Sequence, residues 1–260
     1  MIGTDQYAYS SRLRKTEPIP KLCAAAAATV VCLCCDSIAV GVCTVVLMSL
    51  LSIGLGGTRP WVLLRFFLVP LVFLVLGCVT ILVERQPLGT PMLLAVRVGG
   101  SLWGLTPGSL WMGGRIFCKA MGVISCMYFL ALNTPMTDIT LALEKLHIPK
   151  LFVELMELIY RFIFVLTEAM VNIRTAQESR LGYMGFRRSM ESAGTLCSMV
   201  FLRAWRKGDK VYSALESRGY TGSLATLPAE YRGGRSLYFW AAGVVLLQIA
   251  ACCVERRLLP

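Results

Sequence analysis

The sequence predicts an all-α polytopic membrane protein, with about five transmembrane helices and a cytoplasmic module of long amphipathic helices. Three observations lead there. Of 260 residues, 56% are hydrophobic and only 16% charged, with a mean hydropathy of +0.66, where a soluble domain carries more charge. Apolar runs reach the roughly 20 residues needed to cross a hydrocarbon core of about 30 Å. Residues 61–83 hold one charge, Arg65, and residues 236–254 hold none. The net charge of +11 is also unevenly placed. Arg12, Arg14, Lys15 and Lys21 crowd the first 21 residues, and 14 Lys/Arg against 10 Asp/Glu lie between Thr137 and Arg235. Flanks rich in Lys and Arg stay cytoplasmic, so both regions are expected on that side.

The chain therefore divides into a cytoplasmic arm (1–21), four transmembrane helices (22–132), a cytoplasmic module (133–235) and a last transmembrane helix with a short tail (236–260). The apolar block after the arm is too long for one helix and is interrupted at Asp36-Ser37. It reads as two spans, 22–35 and 38–56, joined by a tight turn. The Ala-rich "CAAAAATVVC" resembles a signal-peptide core, but the apolar block follows a long, polar arm of 21 residues and a second span follows at once. The third span is 61–83, and the fourth is 118–132 with its upstream flank 110–117. Arg97 and Pro107 argue against a broken sixth span within 89–110. Five spans place the N-terminus inside and the C-terminus outside.

In the cytoplasmic module Thr137 is expected to cap a short helix with Asp138 in its first turn. That helix ends at His147-Ile148-Pro149, because the residue before proline avoids the α region. A long helix begins near Pro149 and runs about 30 residues to Leu181-Gly182. Glu154, Arg161, Glu168 and Thr175 fall seven apart on it, and Glu157 joins them at helical spacing. One narrow polar stripe thus runs down an apolar rod, with Glu157 and Arg161 spaced for an i,i+4 ion pair. Such a helix suits a membrane interface or the underside of a bundle. An ordinary buried helix with a salt-bridged face is the plainer account.

The following helix starts near Phe186, turns basic at "RAWRKGDK", and is expected to break near Gly208 and resume to Gly219. Its end, "YSALESRGY", echoes the end of the long helix, "TAQESRLGY", with Arg180 and Arg218 38 residues apart. Each arginine falls in the last turn of a helix that a glycine ends, Gly182 or Gly219. The helix dipole favours a cation there by only about 0.3–1 kcal/mol. That suffices for one arginine, but two matching ends suggest more. An exposed guanidinium pairs bidentately with a carboxylate in a partner's groove, and a duplicated tip fits a two-fold partner.

The 11 cysteines, including "CLCC" at 32–35, pack as small hydrophobes rather than forming a soft-metal site, since no histidine or carboxylate cluster completes a ligand set. "GLGGT" at 54–58 lacks the Gly-Lys-Ser/Thr ending of a phosphate loop. Asp36 lies at a turn and Glu84 at a span end, without the partners that catalysis in lipid needs. No catalytic residue, resident metal or cofactor is assigned.

The residues as a set resemble the transmembrane T component of energy-coupling-factor (ECF) transporters of the cobalt type, the CbiQ family. The likeness runs nearly end to end. It is carried by "DQYAYSSRLR" at 5–14, "FLALNTPMTDI" at 129–139, "IPKLFVELMELIYRFIFVL" at 148–166, and the two tips. The resemblance implies that Ser179-Arg180-Leu181 and Ser217-Arg218-Gly219 dock into grooves of two ABC-type ATPase subunits. It departs from the family's Ala-Arg-Gly form, with Ser for Ala in both and Leu for Gly in the first. It also implies a separate membrane substrate-binding component of the cobalt type, a small accessory membrane subunit, and a prokaryotic plasma membrane, with no nucleic-acid partner. The metal would be bound by the substrate-binding component, which agrees with a chain whose one histidine, His147, sits beside a helix-breaking proline. ATPase closure would move the tips, and the helix bearing Glu154, Glu157, Arg161 and Glu168 would pass the shift to the substrate component. Nickel or a vitamin as cargo, an ABC permease forming its own pathway, and a membrane-embedded enzyme are the other readings.

Overall fold

The structure, a computed structural model, describes residues 3–82, 84–86, 94–98, 101–220, 231, 233 and 235–258. It falls into two compact units, Ile2–Pro135 with Glu230–Pro260, and Met136–Ala229.

The first unit is a bundle of apolar helices. A short α1 (Gly3–Ser10) and a 3₁₀ turn (Arg12–Lys15) lead into α2 (Pro18–Cys34), α3 (Ile38–Gly54), α4 (Pro60–Leu82), α5 (Pro107–Asn133) and α9 (Arg235–Leu258). Three of these, α4, α5 and α9, are long and apolar enough to cross a membrane, and α2 and α3 are shorter apolar helices of 17 residues each. This is the expected helical, polytopic membrane architecture. A small antiparallel sheet, β1 (Glu84–Gln86), β2 (Leu94–Val98) and β3 (Ser101–Leu105), in the order β1-β3-β2, occupies much of the stretch weighed as a sixth span. Pro107 does not interrupt a helix there. It opens α5 at a first-turn position, behind a reciprocal cap in which Thr106 and Ser109 bond each other's backbone.

Packing explains several residues that composition alone does not. Gly41 of α3 and Gly122 of α5 bring these two helices into backbone contact. A Cβ on Gly41 would lie 2.5 Å from the Cys118 carbonyl oxygen, and one on Gly122 would lie 2.8 Å from Cys32 Sγ. Small residues at such crossings replace the hydrophobic drive that lipid does not supply. Pro70 inside α4 has no N–H for the carbonyl of Phe66, and the Tyr128 hydroxyl donates to that oxygen at 3.0 Å instead.

The two ends of this bundle carry its polar anchors. At one, Asp36 in the α2–α3 turn pairs with Lys119 (2.8 Å) and Arg115 (3.2 Å), and Glu255 near the end of α9 accepts from the Ile38 and Ala39 N–H groups and the Ser37 hydroxyl. A carboxylate at the start of α3 matches the helix dipole. At the other end the Ser11 hydroxyl bonds the Gly56 carbonyl oxygen (3.1 Å) and Asn133 Oδ1 (2.9 Å), and Asn133 Nδ2 donates to the Phe129 oxygen. Gly56 lies so close to Asn133 Oδ1 that no side chain fits there. Thus "SSRLR", "GLGG" and "LNTP", far apart in sequence, form one cluster. Lys21, one of the four cations counted in the N-terminal arm, is fully buried, with Nζ donating to the Leu13 and Asn133 carbonyl oxygens.

Candidate functional site

The second unit holds α6 (Met136–Lys145), α7 (Lys150–Ser179) and α8 (Phe186–Glu216). Thr137 lies inside the first turn of α6 rather than capping it, and its carbonyl accepts from Thr140 Oγ1. α6 stops where His147 takes a left-handed conformation (φ 62°), and the Ile148 N–H reaches back to the Leu143 carbonyl. Proline at 149 then forbids continuation. α8 is one unbroken helix. Gly208, expected to break it, sits in its middle with open space around it, where a glycine costs about 1 kcal/mol in propensity and no more.

α7 and α8 are antiparallel neighbours, tied at both ends. At the loop end Gln177 Nε2 donates to the Ser192 carbonyl (3.0 Å) and Ser192 Oγ to the Gly182 carbonyl (2.7 Å). At the far end the Tyr220 hydroxyl, just past α8, donates to Glu154 Oε2 in the first turns of α7 at 2.9 Å. This bond to a carboxylate pushes the Tyr220 hydroxyl pKa above its ordinary 10.

The polar stripe on α7 does not act as one line. Glu154 is buried, and Glu157, half-buried, accepts from Thr140 Oγ1 of α6 at 3.4 Å. Among the described residues Glu157 and Arg161 form no ion pair, so the expected i,i+4 contact is replaced by one between helices. Arg161, Glu168 and Thr175 are exposed. Along the same helix runs a second row, Leu151, Leu155, Ile159 and Ile163, each at least 40% exposed.

The two arginine tips are built alike. At the first, the Leu181 N–H bonds the Glu178 carbonyl and the Gly182 N–H the Gln177 carbonyl. At the second, the Gly219 N–H bonds the Glu216 carbonyl and the Tyr220 N–H the Leu215 carbonyl. Both are Schellman ends, with Arg180 and Arg218 each immediately before the left-handed residue. Ser179 and Ser217, preceding them, both return their hydroxyls to the carbonyl four residues back, at 2.9 and 2.8 Å. The left-handed residue is Gly219 (φ 75°) at the second tip but Leu181 (φ 59°) at the first, not Gly182 as expected. Gly182 serves a different need, since a Cβ there would stand 2.8 Å from Ser192 Oγ.

Arg180 and Arg218 are exposed and, among the described residues, enter no ion pair. Because the ends of α7 and α8 meet pairwise, the two tips lie at opposite ends of the hairpin, about 40 Å apart at 1.5 Å per residue of α7. The echoed tyrosines acquire a role that spacing alone did not reveal. Tyr183 donates to Gln177 Oε1 (2.9 Å) as Tyr220 does to Glu154, so each tip is latched to α7 by its own tyrosine. Arg174 braces the first tip through Glu178 (2.8 Å) and lies over the Tyr183 ring. The arrangement presents two exposed guanidinium groups on helix ends of the same backbone form.

The sequence model of the CbiQ family, described as cobalt transport protein, matches residues 10–227. An uncharacterized protein of Methanocaldococcus jannaschii is 30% identical over 86% of this chain and 82% of its own length. The cobalt transport protein CbiQ of Salmonella typhimurium is 28% identical over 86% of this chain and 99% of its own. A fused cobalt transport protein, CbiMQ, of Methanocorpusculum labreanum is 34% identical over 62% of this chain, which spans only 27% of that longer protein.

Proposed function

The chain belongs to the CbiQ family of cobalt transport proteins, and from that premise we propose that it is the T component of an ATP-driven ECF importer of cobalt ions. It is a membrane component of cobalt transport. The finer reading is that it couples, and does not itself catalyse. Arg180 and Arg218, with Ser179, Leu181, Ser217 and Gly219 shaping the tips, dock into the grooves of two ABC-type ATPase subunits on the cytoplasmic face of a prokaryotic plasma membrane. ATP binding draws the grooves together, and α7 carries that motion to a separate substrate-binding membrane component, where the ion is held. A small accessory membrane subunit completes the assembly.

One observation carries this reading: two helix ends with the same hydrogen-bonded geometry, each presenting an exposed arginine, about 40 Å apart. A single small groove cannot span that distance, whereas a pair of equivalent subunits can. The exposed apolar row on α7 is the surface suited to lean on a membrane partner, and the fused relative named CbiMQ supports a partner component beside this chain. Coupling of this kind requires a two-state element biased by both partners.

The test is co-purification from detergent of the tagged chain with its ATPases, comparing wild type with R180A/R218A. Truncating one side of a buried charge pair at an interface costs about 2–5 kcal/mol. The double variant is therefore expected to lose the ATPases and cobalt uptake while remaining in the membrane. Retained ATPase binding and normal uptake would falsify the docking role.

A further inference from the structure

A pocket of about 280 Å³ opens at the start of α4, lined among others by Tyr7, Ser10, Thr58, Arg59 and Val62. We propose that it holds the phosphate headgroup of an anionic phospholipid between the guanidinium groups of Arg59 and Arg12. No carboxylate lines the pocket, and among the described residues neither arginine enters an ion pair. Arg12 reaches the rim because Gly57, which also lines it, adopts φ 72° and has no side chain. Arg12 Cδ and Nε lie 3.2 and 3.3 Å from where a Cβ would stand. The serine and threonine hydroxyls of the wall are committed, Ser10 to the Tyr7 carbonyl and Thr58 to that of Ser52, which leaves the two guanidinium groups as the cationic donors.

Depth in the membrane selects a lipid over free phosphate as the source. The apolar run of α4 begins at Pro60, one residue past Arg59, so with α4 as a span the pocket mouth falls at the boundary of the hydrocarbon core. Trp61, 77% exposed, stands where interfacial tryptophans anchor at headgroup level. Leu64 and Leu68, exposed one and two turns further along the same face, offer the acyl chains a track. Basic pockets at helix ends facing anionic leaflets bind phosphate headgroups in this way. This inference is independent of the transport reading.

The test is native mass spectrometry of the full-length chain in detergent, titrated with a short-chain phosphatidylglycerol and with the matched phosphatidylcholine. Wild type is expected to retain phosphatidylglycerol preferentially, and R12Q/R59Q to bind it about 30-fold more weakly, from about 1 kcal/mol per cation at 1.4 kcal/mol per decade. R12K/R59K should keep most of the preference, and R203Q/R206Q, which removes two exposed cations from α8, should keep all of it. Equal loss in R203Q/R206Q would mean general charge attraction and overturn the site. So would equal retention of phosphatidylcholine, or unchanged binding by R12Q/R59Q. Displacement of the lipid by millimolar inorganic phosphate would overturn the lipid as the ligand.

Discussion

Arg180 and Arg218 look alike in sequence, yet the residues that follow them differ in backbone demand. Leu181 holds φ 59° and Gly219 φ 75°, a region that costs a side-chain-bearing residue about 1–2 kcal/mol. G219A is therefore expected to destabilise the second tip by about 1 kcal/mol, and L181G to stabilise the first by a similar amount, read by thermal unfolding. Opposite signs at the two sites are the outcome to look for; equal signs would mean that the Leu181 side chain, not its backbone, matters. Tyr220 is testable separately. Y220F removes one donor from the buried Glu154 carboxylate, and weakened ATPase co-purification with Arg218 intact would mark Tyr220 as positioning the tip. Its raised pKa adds a pH signature. The stabilisation from the neutral hydroxyl is complete below pH 10 and is lost as pH rises through the higher folded value, a loss Y220F should not show.

Among elements, the α3–α5 crossing brings backbone against backbone. Gly41 faces backbone, the Cys118 carbonyl, which cannot swing aside as a flexible side chain can. G41A should therefore destabilise the bundle by about 1–3 kcal/mol, as overpacking does, and lower the detergent melting temperature. G114A, with open space around Gly114, should not. The α2–α3 turn makes a second prediction. The bond from Lys119, then the Lys119 and Arg115 charges, hold Asp36 below its ordinary 3.8. The sign follows from linkage: this stabilisation is present above about pH 3.8 and lost as pH falls through the lower folded value. D36N should abolish that acid dependence while leaving behaviour at pH 7 nearly unchanged, because the pair is exposed.

At the scale of the whole molecule, the separation of the tips makes the proposed docking testable by stoichiometry. Two arginines about 40 Å apart on one hairpin fit two ATPase copies per chain, to be read as intact mass by native mass spectrometry. R180A and R218A singly should each weaken the complex and jointly dissolve it. One ATPase per chain, insensitive to one of the two single variants, would show that only one tip docks. The polar stripe of α7 follows the same logic. Glu154 and Glu157 meet α8's end and α6, so replacing them should loosen the hairpin, whereas Arg161 and Glu168 are exposed and available to partners.

Membrane class, the apolar helices, the long helix after Pro149 and the arginine echo were all legible in the sequence. Each depends on local quantities: run length, period, and the residues that start or stop a helix. The unbroken α8 was not, because Gly208 and the surrounding charges lower helix propensity only slightly and cooperativity carries the helix across. Nor was the choice of Leu181 over Gly182 as the left-handed residue. A Cβ at 182 would stand 2.8 Å from Ser192 Oγ, ten residues on, a contact that only the folded hairpin supplies. Burial of Lys21, the Ser11–Gly56–Asn133 cluster and the tyrosine latches likewise join residues far apart in the chain. Sequence alone determined the membrane class and the apolar and amphipathic helices. Tertiary structure decided which polar groups face one another, because a buried hydrogen bond depends on neighbours that only the folded chain supplies.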